Sequence, residues 1–307
     1  MATDLYASFN EQYMNINAKL KKRFMRKPNI SEATNEFVGL AIQCEHSEQP
    51  AFAGHAYVGA AKCEASAGNS LGEAEQYLAA ARQFMKAEHK FVSLKFSSTD
   101  RENLEAAIGC FNQALNKYPE NSLMRTSILM ELASNLVSFN HKLEAISYYE
   151  QALENIENKT MKLMCMRTIL NLLIECEKWD IALDTANTIV DKILNIPENI
   201  LAEVQVSRVL LALLVKPMDE NKPDSLKNLF TSILNDCDSD AFPVNIDLRL
   251  KLQSIIISST TGDANSLICV CADTKGFLTM QQAFLLDKIN TEIRLTQYCD
   301  SVRSYLN

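Results

Sequence analysis

A nucleophilic dyad needs a histidine beside a thiol or hydroxyl. The four histidines, His46, His55, His89 and His141, stand far apart in sequence, and no spacing nominates such a pair. Of the nine cysteines, one close pair stands out, Cys269 and Cys271 in "CVC", with no second pair and no nearby histidine. Structural zinc needs four ligands, so these thiols read as small hydrophobes. "DCDSD" places Asp236, Asp238 and Asp240 together. It lacks the glycine and the distant glutamate of a calcium loop and reads as a solvated segment. No GxGxxG, Walker A, HExxH or GxSxG pattern occurs. Trp179, in "EKWDIAL", falls in a turn between helices, where packing is its expected role. No catalytic, cofactor or metal residue is nominated, and the chain is expected to be a binding protein rather than an enzyme.

The stretch that asks most for a partner is "KLKKRFMRKPN". Lys19, Lys21, Lys22, Arg23, Arg26 and Lys27 supply six of the chain's 30 basic residues, on a protein of net charge −8. Such a run can be a solvated face or a nuclear-import or nucleic-acid patch. It can also dock into acidic grooves of a protein partner. Its charges alternate with an apolar stripe, and the acidic remainder repels nucleic acid and anionic lipid. Docking is therefore the expectation, with Leu20 and Phe24 as anchors. Arg208 is a further candidate contact.

The elements that must carry these residues are helical. Only 8 glycines and 7 prolines occur in 307 residues, too few for the turns of an all-β fold. Ala74–Leu78–Ala81, Ala107–Phe111–Ala114, Ala145–Tyr149–Ala152 and Ala182–Ala186–Ile189 each mark one stripe of a helix, at intervals of 33, 38 and 37 residues. Two of these ladders have an apolar helix upstream: Leu129, Leu132, Ala133 and Leu136 before one; Met166, Ile169, Leu170 and Leu173 before the next. Helix pairs repeating at such a period resemble tetratricopeptide repeats. The expectation is a single all-α domain over 1–307, a TPR-like α-solenoid. Residues 10–48 are N-terminal helices with the basic run, 50–195 the repeats, and 198–307 atypical C-terminal helices over 199–216, 223–236, 244–260, 263–273 and 278–305. Capping residues differ from inner repeats because they close an open apolar face. Tyr13, Ile16, Leu20 and Phe24 share a face of a helix expected over 10–27. Asn29 with Glu32 reads as a cap for the next, whose face is Ala33, Phe37, Leu40, Ala41 and Cys44. The longest apolar run, "VLLALLV" (Val209–Val215), is too short to span a membrane and reads as a buried helix. No basic-then-apolar leader opens the sequence, and scattered thiols of odd number fit a reducing cytoplasm.

Three segments, "KLKKRFMRKPNISEA" (Lys19–Ala33), "VSRVLLALLVKP" (Val206–Pro217) and "LTMQQAFLL" (Leu278–Leu286), resemble the 40-kDa huntingtin-associated protein family. Mammalian members carry a long proline-rich insertion where this chain has only "NIPENI" (Asn195–Ile200), as a shorter, invertebrate-type member would. The resemblance implies a TPR-like α-solenoid without catalytic activity, held one-to-one by huntingtin between its HEAT-repeat lobes and their bridge. It also implies a link to an early-endosomal Rab GTPase and to endosome motility, hence a cytoplasmic protein partly on early endosomes. The basic run leaves a nuclear pool open. The alanine ladders also resemble the attachment proteins that load a disassembly ATPase onto SNARE bundles, the alternative reading. No nucleic acid and no membrane insertion is expected, and the uncovered apolar margin implies poor solubility of the isolated chain.

Overall fold

The computed structural model describes residues 2–21, 29–95, 101–235 and 242–306, with side chains described over 8–21, 29–95, 101–235 and 242–296. These residues form fourteen α-helices and two short 3-10 turns, with no strand among them. They fall into two compact units, Met1–Asn140 and His141–Asn307. That boundary lies inside the 50–195 stretch read from the sequence as one run of repeats.

The first unit holds α1 (Ala2–Leu20), α2 (Ile30–His46), α3 (Pro50–Ala67), α4 (Ser70–Ser93), α5 (Glu102–Leu115) and α6 (Leu123–Ser138). Each packs on the next in chain order, most closely α2, α3 and α4. Composition explains that closeness. The buried positions of α3 are Ala53, Gly54, Ala56, Gly59, Ala60, Ala61 and Cys63, so no side chain holds its neighbours away. Phe37 of α2 lies against Gly59 and Phe84 of α4 against Gly54. A Cβ would meet the Phe37 ring at 2.8 Å and the Phe84 ring at 2.9 Å, closer than van der Waals contact. Glycine inside a helix ordinarily costs about 1 kcal/mol relative to alanine. Here the sign should reverse. Gly54→Ala and Gly59→Ala are expected to destabilise by roughly 1–3 kcal/mol through overpacking. Gly39→Ala and Gly109→Ala, whose added methyl meets nothing within 4 Å, are expected to stabilise by about 1 kcal/mol. Urea midpoints of the four variants check this; Gly59→Ala melting above the parent would contradict it.

The second unit holds α7 (Lys142–Glu154), α8 (Lys159–Glu175), α9 (Trp179–Lys192), α10 (Glu198–Val215), α11 (Asp224–Leu234), α12 (Ile246–Thr261), α13 (Ala264–Thr274) and α14 (Met280–Leu306). Helices α7 to α10 pack in succession, as do α11 to α14. Helix α14 then returns to cover α10 and touch α8. Residues Val204–Leu214 of α10 are all buried, which is why "VLLALLV" shows no polar face.

The four alanine ladders are buried as their spacing requires. The helix starts follow from capping chemistry: Asn29, Asn69, Ser122, Asn158, Asn245 and Asp263 each accept a hydrogen bond from a first-turn backbone N–H. Four ends share one device. Glu48, Lys95, Asn140 and Glu177, each two residues past the ends of α2, α4, α6 and α8, take left-handed φ values of 54°, 58°, 64° and 57°, which turns the chain out of the helix. The C-terminal helices start and stop within two residues of the boundaries expected from sequence. At the other end the first helix begins at Ala2 rather than residue 10 and is followed to Leu20.

Candidate partner-binding surface

The sequence nominated Lys19, Leu20, Lys21, Lys22, Arg23, Phe24, Arg26, Lys27 and Arg208. Lys22, Arg23, Phe24, Arg26 and Lys27 lie outside the described residues. The nearer part of the run is placed. Phe9, Tyr13, Ile16 and Leu20 pack on a core built with Ala33, Phe37, Leu40, Ala53 and Ala56. Leu20 thus anchors α1 to its own unit instead of standing free for a partner. Lys19 is exposed and pairs with Glu36 of α2. Lys21 is exposed just past the helix end.

Arg208 is corrected by its burial. Its side chain is 0% exposed, so its guanidinium is not available at a surface. Nε donates to Asn187 Oδ1 of α9 at 2.9 Å, Nη1 to Gln205 Oε1 at 2.8 Å and Nη2 to Ser225 Oγ of α11 at 2.8 Å. One planar fork thereby ties α9, α10 and α11 together. Burial pulls its pKa down to about 10, with Asp191 acting the other way, so the group remains a cation at neutral pH.

The segment "LTMQQAFLL" has an equally internal role. Thr279 and Gln282 form a reciprocal cap: Thr279 N–H donates to Gln282 Oε1 at 3.0 Å, and Gln282 N–H to Thr279 Oγ1 at 3.3 Å. The Gln282 amide also donates to the Glu203 carbonyl at 2.9 Å and to Ser207 Oγ at 3.3 Å, locking α14 to α10. Gln281 donates to Glu175 Oε1 at 2.8 Å, and Lys288 pairs with Glu177. Trp179 opens α9 and packs on Phe284 of α14 with ring centroids 6.0 Å apart, a packing role. Sequence reasoning missed this closure, because its partners are 75 to 111 residues apart. The T-x-x-Q spacing was the one local signal.

Among the seven described cysteines none is paired, Cys269 is exposed, and burial pushes the thiols of Cys110, Cys165 and Cys271 up to about 11. Asp236, Asp238 and Asp240 lie outside the described residues. No helix among the described residues is long and apolar enough to cross a membrane.

What remains for recognition is uncovered apolar surface. Phe91, Val92 and Leu94 stand exposed at the end of α4, and Ile246, Leu250 and Ile257 form an exposed stripe on α12. Met161 and Met164 do the same on α8. Isolated exposed hydrophobics are ordinary; runs on one helix face mark surfaces that meet other proteins.

No family model matches the chain. Curated proteins do. The 40-kDa huntingtin-associated proteins of Rattus norvegicus and Mus musculus are each 29% identical to it over 147 residues. The chain is similar to the 40-kDa huntingtin-associated protein. The match takes in 47% of this chain and 39% of the length of each relative. Two of the three segments that carried the resemblance in the sequence, around Arg208 and Gln282, are buried junctions of the second unit.

Proposed function

We propose that the chain is a non-enzymatic helical scaffold that binds huntingtin one-to-one as a stable partner. The observation that carries this reading is the similarity to proteins named for that association. The exposed apolar runs on α4, α8 and α12 support it, because they give a large partner something to bury. Within each unit the helix pairs are read as TPR-like. The buried A-x3-[FYL]-x2-A ladders and the left-handed residue that recurs after α2, α4, α6 and α8 support that assignment. An early-endosomal Rab GTPase is the second partner under this reading, and the cytoplasm, with a fraction on early endosomes, the location.

The test is co-purification of the chain with full-length huntingtin, with an assembled SNARE bundle in parallel. A huntingtin complex and no SNARE complex supports the reading; the converse overturns it. Under the same reading, Lys21, Lys22, Arg23 and Arg26 changed together to Glu are expected to weaken the complex about tenfold or more at low salt. The loss should shrink as salt rises past ~0.1 M, where the screening length is about 10 Å. Unchanged binding by this variant would remove the basic run from the interface.

A further inference from the structure

A cleft of about 740 Å³ opens in the second unit where the end of α7, the start of α8 and the end of α9 meet. Its floor is apolar: Ile156 and Met166 are buried and Leu153 half-buried. Its edges carry six exposed charges. Glu150, Glu154 and Glu157 come from α7 and the turn after it; Lys159, Lys162 and Lys192 come from α8 and α9. Among the described residues none of the six is ion-paired, whereas Lys142–Glu175 and Arg167–Glu203 pair at 2.9 and 2.6 Å elsewhere in the unit.

The charges also sit against local helix energetics. A helix favours anions at its N-terminus and cations at its C-terminus. Helix α7 ends on Glu150 and Glu154 with no basic residue in its last turn. Helix α8 starts on Lys159 and Lys162 with no acidic residue in its first turn. Glu150 and Glu154 are a like-charged i, i+4 pair as well, a further local penalty. Residues that weaken their own helices, and have no ion pair among the described residues, are placed for something outside the unit.

The geometry points to an amphipathic helix of a protein partner as the occupant, its apolar stripe on Leu153, Ile156 and Met166, with basic side chains along one flank and acidic ones along the other. An apolar-floored trough between helices takes a helix by its i, i+4, i+7 anchors. A nucleic acid or an acidic tail would meet three carboxylates, and a uniformly basic segment three ammonium groups. This inference rests on the scaffold reading above and names one docking site for it.

Two charge reversals on the full chain test it: E150K/E154K/E157K and K159E/K162E/K192E, each titrated against purified huntingtin. Both sets are exposed, and four of the six new charges suit their helix ends. Neither variant should therefore melt below the parent, and a loss of binding is then not a loss of fold. Each is expected to weaken the complex about tenfold or more, as truncating charge pairs at interfaces does. Binding within twofold of the parent by both variants overturns the site, as does tighter binding by the lysine-to-glutamate variant, which would mean a basic partner. If the parent chain binds no huntingtin, the scaffold reading fails by itself. The cleft is then probed with a synthetic 20-residue helix carrying a leucine stripe between a lysine row and a glutamate row. Binding that exceeds that of a scrambled peptide and is lost in both variants sustains the site; no such difference overturns it.

Discussion

Arg208→Met is expected to destabilise the second unit by about 1–3 kcal/mol for each buried polar partner that it strands. The cause is specific. Asn187 and Ser225 each lose a charge-assisted donor, and Asn187 is itself buried. Leaving a buried polar group without its bond costs about 1–3 kcal/mol. Methionine restores much of the volume, so the loss reports on the fork and not on a cavity. Arg208→Lys keeps the cation and should still be destabilised, because an ammonium cannot reach three partners spread over α9, α10 and α11 with one planar group. Against a domain stability of about 5–15 kcal/mol, the methionine variant would be marginal at body temperature. Trp179, the single tryptophan, lies in the same unit and reports its unfolding by fluorescence in urea. A loss below about 1 kcal/mol would show that the three bonds are not what holds these helices.

Leu286→Ala is expected to lower stability by about 2–5 kcal/mol, the range for a fully buried leucine whose site collapses incompletely. Leu285 and Leu286 are both 0% exposed, and Ile289 and Ile293 continue the same face of α14. That face closes on α10 and α8. The variant should also change the Trp179 emission before global unfolding, since the indole packs on Phe284 of the same helix. Gln282→Ala should cost roughly 1–3 kcal/mol, because it removes the Oε1 that accepts from Thr279 N–H and leaves the buried Ser207 hydroxyl with one bond fewer. A normal urea midpoint for Leu286→Ala would mean that α14 is peripheral to the unit.

How far the sequence discloses this architecture depends on the range of the interaction. Helical spacing and capping are local. Hence Asn29 with Glu32, the faces of α2 and α10 and the C-terminal helix boundaries could be read in advance. The ladders were legible for the same reason: alanine at i and i+7 with a large residue between them has a packing use in any helix pair. Whether a charge faces solvent or a core is not local. Arg208 reads as a surface cation until Asn187 and Ser225 arrive from helices on either side. Leu20 likewise reads as a free anchor until the core around Phe37 half-buries it. The edges of the α7–α8–α9 cleft left only a faint trace, carboxylates at the end of one helix and lysines at the start of the next. That trace gains weight only when Lys192 of α9 joins them. The return of α14 onto α10 depends on contacts about 75–80 residues apart, which no window of sequence contains.

The most direct test of the central claim is the mass of the species formed when the purified 307-residue chain is mixed with full-length huntingtin at nanomolar concentration. The scaffold reading predicts one complex holding one copy of each and surviving dilution. Free huntingtin and free chain as the only species, under conditions where the chain is folded by circular dichroism, would contradict it.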